Sequence, residues 1–349
     1  MLTKFIRHAA IAAAAVLMAG AARAEAPAPT PVTPELIAAA KAEGKVVWYT
    51  SVELETAEHV AEGFKKAYPG IEVQVERSGA ERNFQRLTQE YSSGIHVADT
   101  VNSSDAAHFI LWKRQGWLAP YVPEDVAKYW PPEHKDPDGM YATWRMTLSI
   151  MAYNTKLVKA EDAPKSFADL LDPKWSGKIV KAHPGYSGTI LTSTFEVARD
   201  LGWPYFEKLS KQRVMQVQSA TDPPRRVMAG ERAVMADGSE YVVLQAKAQG
   251  SPIEPIYPSE GSPTIVGPNA VMKDAPHPNA ARLFQSYLFS QEGQQLIIDV
   301  GALRSVHPLT KEPAGRPSLK DIKLMKDDPS AVESQVDDIK KKYTSYFKT

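Results

Sequence analysis

The regular alternation of short apolar strands with amphipathic helices over residues 45–113 constrains the fold of this chain more than any other feature. Lys45–Thr50 (KVVWYT) is a compact run of β-branched and aromatic residues. Glu55–Ala67 follows with helical periodicity that turns Val60 and Phe64 inward. Beyond the Pro69-Gly70 turn, Ile71–Glu76 alternates as a strand and Glu81–Tyr91 is helical again. Val97–Val101 is a short strand ending in Asn102-Ser103-Ser104-Asp105, and Ala106–Lys113 is a helix. This β-α-β-α-β-α order favours an open, mostly parallel sheet. Ligands of such sheets sit beyond the carboxyl ends of the strands. Thr50-Ser51, the Gly79–Arg82 turn and Ser103-Ser104-Asp105 converge there.

A second α/β set follows an irregular, Pro-rich stretch at Tyr121–Tyr141. Trp144–Tyr153 reads as a strand region, and Lys178–Lys181 as a strand that leads into KAHPGYSGTILTST (181–194). Pro184-Gly185 makes a turn, and a helix is expected to start near Ser187. A helix start carries free N–H groups and the positive end of the helix dipole. With the hydroxyls of Ser187 and Thr189, and Gly188 exposing backbone, it suits a small anion. Val214–Val217 and Ala233–Ala236 are further strands. The first is followed by a loop carrying Asp222, Arg225 and Arg226; the second is followed by a helix carrying Glu240 and Tyr241.

The N-terminus sets the compartment. Lys4 and Arg7, the Ala-rich run 9–22 and the small-x-small site Ala22-Arg23-Ala24 form a secretory signal peptide over residues 1–24. Residues 25–30 are an Ala/Pro-rich leader, expected to be flexible. The chain has no cysteine. Disulfides, thiolate metal sites and a lipid anchor on a cleavage-site cysteine are therefore excluded. The expected location is the periplasm. Basic and acidic residues number 41 each, and the signal peptide holds three of the basic ones, leaving a net charge of −3. With no dense basic run before the C-terminus, nucleic-acid binding is not expected. The length suits two domains.

Nine phrases occur in collinear order: EGKVVWYTS (43–51), YPGIEV (68–73), ADTVNSSD (98–105), MAYNTK (151–156), APKSFADLLDPKWSGKI (163–179), PGYSGT (184–189), MAGERAVM (228–235), YPSEGSP (257–263) and HPNAARLFQSYLFSQEGQQ (277–295). Their order resembles the periplasmic extracellular solute-binding proteins of ABC importers (family 1), in the group that includes ferric-ion-binding proteins. The resemblance implies a type II, two-lobed α/β fold with mixed, mostly parallel sheets, a ligand in the interlobe cleft and hinge closure around it. It implies lobe one over 31–120 and 258–312, lobe two over 121–257, and a helical tail over 313–349. The implied partners are a small solute, the inner-membrane permease and its ATPase, and the protein is expected to be a monomer.

Ferric proteins of the group usually carry two adjacent tyrosines after the MAGERAVM-like strand. Here Ser239-Glu240-Tyr241-Val242 stands there, with one tyrosine. They often place another before the proline of the anion-binding stretch, where this chain has Lys181-Ala182-His183. Phenolates suit a hard ferric ion, so iron, with Tyr241 as its ligand, takes second place. The expected ligand is an anionic organic compound, phosphorylated or carboxylated. Its candidate contacts are Ser51, Arg82, Ser103, Ser104, Asp105, Ser187, Gly188, Thr189, Asp222, Arg225, Glu240 and Tyr241. No cofactor or resident metal is expected, and no two of the eight histidines show short metal-ligand spacing. A rival class is a hydrolase. Gly185-Tyr186-Ser187-Gly188-Thr189 nearly matches a nucleophile elbow, with Asp222 or Asp237 and His277 or His307 in the required order.

Overall fold

The computed structural model describes residues 26–348; the signal peptide read at 1–24 lies outside them. Among the described residues, twelve strands form two sheets. They are β1 (Lys45–Thr50), β2 (Glu72–Arg77), β3 (Thr100–Asn102), β4 (Leu118–Ala119), β5 (Ala142–Leu148), β6 (Met151–Asn154), β7 (Ile179–Ala182), β8 (Met215–Val217), β9 (Val234–Met235), β10 (Ile253–Ile256), β11 (Ser262–Met272) and β12 (Leu324–Met325). The first sheet runs β12-β11-β3-β1-β2, with β4 and β5 also paired to β11. The second runs β10-β6-β9-β7-β8.

β1 pairs in parallel with both β2 and β3. A strand covered on both faces needs apolar residues throughout, and Val46–Tyr49 are all buried. Trp48 packs edge-on against Trp144 and Phe284, at centroid distances of 5.2 and 5.3 Å. The helix Leu54–Ala67 lays Ala57, Val60 and Phe64 on this core. The second lobe is built the same way, with parallel pairs β7–β8 and β7–β9.

Two strands join the lobes. β5 runs antiparallel to β11 from Ala142↔Asn269 to Leu148↔Thr264. Just beyond, Ser149 donates to the Pro263 carbonyl at 3.0 Å and Ile150 to that of Gly238 at 3.0 Å. The chain then enters β6 and the second sheet, and it returns between β10 and β11. This moves the lobe boundary expected at 120/121. Residues 121–147 stay with the first sheet: Val122, Val126, Trp130 and Trp144 pack with Trp48, Phe64 and Phe284. The Pro-rich stretch 121–141 has the composition of a linker, but its apolar residues wrap back onto the first core.

The N-terminal segment departs from the sequence expectation, and the tail holds the expected helix. In the segment 26–30, read as a flexible leader, Thr30 donates to the Val122 carbonyl at 2.9 Å and Ala26 packs against the first core. The tail belongs to neither lobe alone. β12 pairs with Ser262-Pro263. The helix Pro329–Phe347 ties to lobe one through Arg114–Glu333 (3.1 Å) and to lobe two through Tyr343, whose hydroxyl donates to Gln216 at 2.7 Å. Among the described residues, no helix is long and apolar enough to cross a membrane.

Candidate ligand cleft between the lobes

The carboxyl ends of β1 and β3 face the start of the helix Gly188–Leu201 across a cleft narrowed to a cavity of about 20 Å³, room for one water molecule. Lobe one contributes Ser51, Arg77, Gly79, Ala80, Ser104 and Arg145; lobe two contributes Tyr186, Ser187, Thr189, Ser219, Ala220, Thr221, Ser239 and Tyr241. Seven of these fourteen carry aliphatic hydroxyls, two are arginines, and none is a carboxylate.

Ser187 is the N-cap of its helix, and its hydroxyl accepts from the Ile190 amide at 3.4 Å. The hydroxyl that read as an anion donor is thus engaged as a cap, and it still lines the cavity. Ser51 accepts from the Ser104 amide at 2.9 Å and from Arg145 Nη2 at 3.4 Å. Arg145 is the residue that sequence reasoning missed. It lies on β5, is 2 % exposed, and makes its other bond to Asn102 Oδ1 at 3.4 Å. No carboxylate pairs with it among the described residues. Burial pushes its guanidinium down to about 10; Tyr241 opposes that shift and Arg77 adds to it. Space for its side chain comes from Gly267 on β11, where a Cβ would sit 3.0 Å from Arg145 Cγ. The available signal was an arginine inside TWRMTL, a strand buried at every position. Tyr241 is 3 % exposed, and burial raises its phenol while Arg145 and Arg77 pull it down.

Other expected contacts fall elsewhere. Arg82 is exposed and does not line the cavity; Arg77 and Arg145 supply the positive charge. Ser103 and Asp105 are buried and turned to His108, at 3.0 and 3.4 Å. Gly188 meets Asp105 across the lobes. Asp222 accepts from the Ser219 amide at 2.9 Å and opens the short helix Asp222–Met228, so the loop expected around Arg225 is helical. Arg225 pairs with Glu53 of the opposite lobe at 3.0 Å. Glu240 is fully buried in an ion cluster with Arg304 (2.7 Å) and Arg316 (3.2 Å). The partners of a Ser187 nucleophile are also engaged elsewhere. His277 sits on Asp99 at 2.9 Å, His307 is 3.8 Å from Asp125, and Asp237 pairs with Lys181.

A buried cleft lined by hydroxyls and arginines, between two α/β lobes crossed by two strands, defines a solute-binding protein. The chain belongs to the bacterial extracellular solute-binding protein family, whose model matches residues 98–325. A probable ABC transporter periplasmic-binding protein of Sinorhizobium fredii is 24 % identical over 235 residues, 64 % of each chain. Among solved structures, the periplasmic binding protein AfuA of Actinobacillus pleuropneumoniae, with fructose-6-phosphate bound, superposes with a TM-score of 0.80 at 23 % identity, covering 87 % of this chain and 99 % of that one. Iron-bound HitA of Pseudomonas aeruginosa gives 0.74 at 23 %, covering 86 % and 99 %. The fold is that of the periplasmic binding proteins.

Proposed function

We propose that this protein captures a small phosphorylated or carboxylated organic anion in the periplasm and delivers it to the permease and ATPase of an ABC importer. Arg145 carries the reading. An arginine buried without a carboxylate is costly unless an anion completes its coordination. Arg77 and the surrounding hydroxyls extend the same donor set. The bound fructose-6-phosphate of AfuA and the name of the Sinorhizobium relative support this class of ligand and this transport role. A ferric ion is disfavoured here, since two guanidinium groups would repel it and Tyr241 is the single phenol facing it besides the half-exposed Tyr186. A binding role is supported by the family and by the Sinorhizobium relative, a probable periplasmic-binding protein.

The test is a thermal-shift and calorimetric comparison of fructose 6-phosphate, fructose, inorganic phosphate and ferric citrate. Saturable one-to-one binding of a phosphorylated or carboxylated compound, weakened at least about tenfold in Arg145→Met, is the expected result. A visible charge-transfer band with ferric ion that disappears in Tyr241→Phe, with no response to organic anions, would promote iron to first place.

A further inference from the structure

Three metal-ligating side chains meet in lobe one without lining the cleft. Glu81 belongs to the helix Ala80–Ser92, Asp105 to the loop after β3, and His108 to the first turn of the helix Ala107–Arg114. They are 6 %, 1 % and 7 % exposed. His108 Nε2 lies 3.2 Å from Glu81 Oε1 and 3.4 Å from Asp105 Oδ2, and the three ligand atoms all fall within 4.8 Å of one another. Zinc bonds of roughly 2.0–2.2 Å in tetrahedral geometry separate neighbouring ligand atoms by about 3.3 Å.

Two further observations point to a ligand. Asp105 Oδ2 is buried and accepts no hydrogen bond, while its Oδ1 is used by the Ala107 amide at 2.9 Å. The second concerns the other ring nitrogen of His108, which sits 3.0 Å from Ser103 Oγ. A proton on Nδ1, donated to that hydroxyl, leaves Nε2 with its lone pair toward the two carboxylates, the arrangement found behind metal-bound histidines. Phe84 stacks on the ring at 4.4 Å and holds its plane. Lys340 of the tail helix takes Glu81 Oε2 at 2.6 Å, so Oε1, 3.2 Å from His108 Nε2, is the oxygen turned into the cluster.

We propose that Glu81, Asp105 and His108 form a three-ligand site for a divalent transition-metal cation, zinc foremost. Mixed nitrogen and oxygen ligands in this number suit zinc better than calcium or magnesium, which take six or more oxygens. Two carboxylates neutralise the charge of the ion. The cation is a structural staple, distinct from the solute in the cleft. It pins the loop whose next residue, Ser104, lines the cavity and whose Asp105 abuts Gly188. The competing arrangement is a metal-free ion quartet, in which a protonated His108 and Lys340 balance Glu81 and Asp105.

Tag-free mature protein, stripped with chelator and titrated with zinc chloride at pH 7.5, distinguishes the two. Elemental analysis should find one zinc per chain after dialysis, with a zinc-dependent rise in melting temperature. His108→Gln should weaken zinc binding by about tenfold or more, whereas Tyr241→Phe in the cleft should leave it unchanged. Cobalt(II) bound to wild-type protein should give the intense visible spectrum of a tetrahedral site, a readout that needs no variant to fold. Absence of stoichiometric zinc and of the cobalt spectrum would establish the ion quartet and overturn the site. Zinc that persists in a folded His108→Gln, or that leaves with Tyr241→Phe, would overturn it too.

Discussion

Gly188 of the second lobe lies so close to Asp105 of the first that a Cβ on Gly188 would stand 2.6 Å from the Asp105 Cβ and 2.9 Å from its amide nitrogen. Real Cβ atoms do not approach that closely, so any larger residue holds the lobes apart. Alanine at a helix start is otherwise well tolerated. Gly188→Ala should therefore fold with wild-type or slightly higher stability. Small-angle scattering with fructose 6-phosphate or the identified anion at saturation should show a larger radius of gyration than wild type. Calorimetric affinity should fall by about tenfold or more, equivalent to 1.4 kcal/mol. Wild-type scattering and affinity would mean that the lobes close through other contacts.

Arg145→Met should separate stability from binding. Removing an uncompensated buried charge and filling its volume with an apolar chain is neutral or stabilising. The melting temperature without anion should hold or rise. A charge-assisted hydrogen bond is worth about 1.5–3 kcal/mol, so anion affinity should drop roughly 10- to 150-fold. A variant that loses stability and keeps affinity would make Arg145 a structural residue.

The Arg225–Glu53 pair spans the two lobes, with side chains 52 % and 21 % exposed. Exposed pairs of this kind contribute about 0–1 kcal/mol and are screened by salt. Arg225→Ala should weaken anion binding by less than about fivefold, and the deficit should shrink between low and high salt. A loss as large as that of Arg145→Met would place Arg225 on the ligand.

Glu240 was expected at the ligand, and its role is internal. Burial pushes its carboxyl up, but bonds and charge from Arg304 and Arg316 hold it below the usual range. Its side chain accepts from Tyr257 at 2.8 Å as well. Glu240→Ala leaves the buried Arg304 without its carboxylate, while Arg316 keeps Glu312 at 3.0 Å, and breaking a buried pair costs about 3–5 kcal/mol. Urea denaturation should report that loss; an unchanged midpoint would contradict it.

Glu196 on the helix Gly188–Leu201 is fully buried, with Oε2 accepting from the Thr264 amide at 3.0 Å and Oε1 unpartnered. Burial, then the nearby Asp327, pushes its carboxyl up to about 9. A carboxyl held neutral in the folded state stabilises fully below the pKa of the unfolded chain and loses that stability as pH rises toward 9. Glu196→Gln removes the dependence. It should match wild type near pH 5 and exceed it at pH 8 by more than about 1.4 kcal/mol. Equal stabilities at both pH values would mean that Glu196 is ionised in the fold.

Local pattern alone was enough for the class of this fold and half of its cleft. Strand–helix alternation is set by periodicity and turn residues, so β1–β3, their helices and the Ser187 cap are readable residue by residue. Ser51, Ser104, Ser187, Thr189 and Tyr241 line the cavity because they follow strands or open helices, positions fixed by the local chain. Pairing between distant segments left no such mark. Arg145 reaches the cleft because Gly267, more than a hundred residues away, leaves it space across the β5–β11 ladder. Arg225 and Glu240 went to Glu53 and Arg304, carboxylate and guanidinium partners that only the packed chain brings near. Residues 121–147 joined the first lobe because their apolar side chains found the Trp48 core, and burial in three dimensions outweighs linker-like composition.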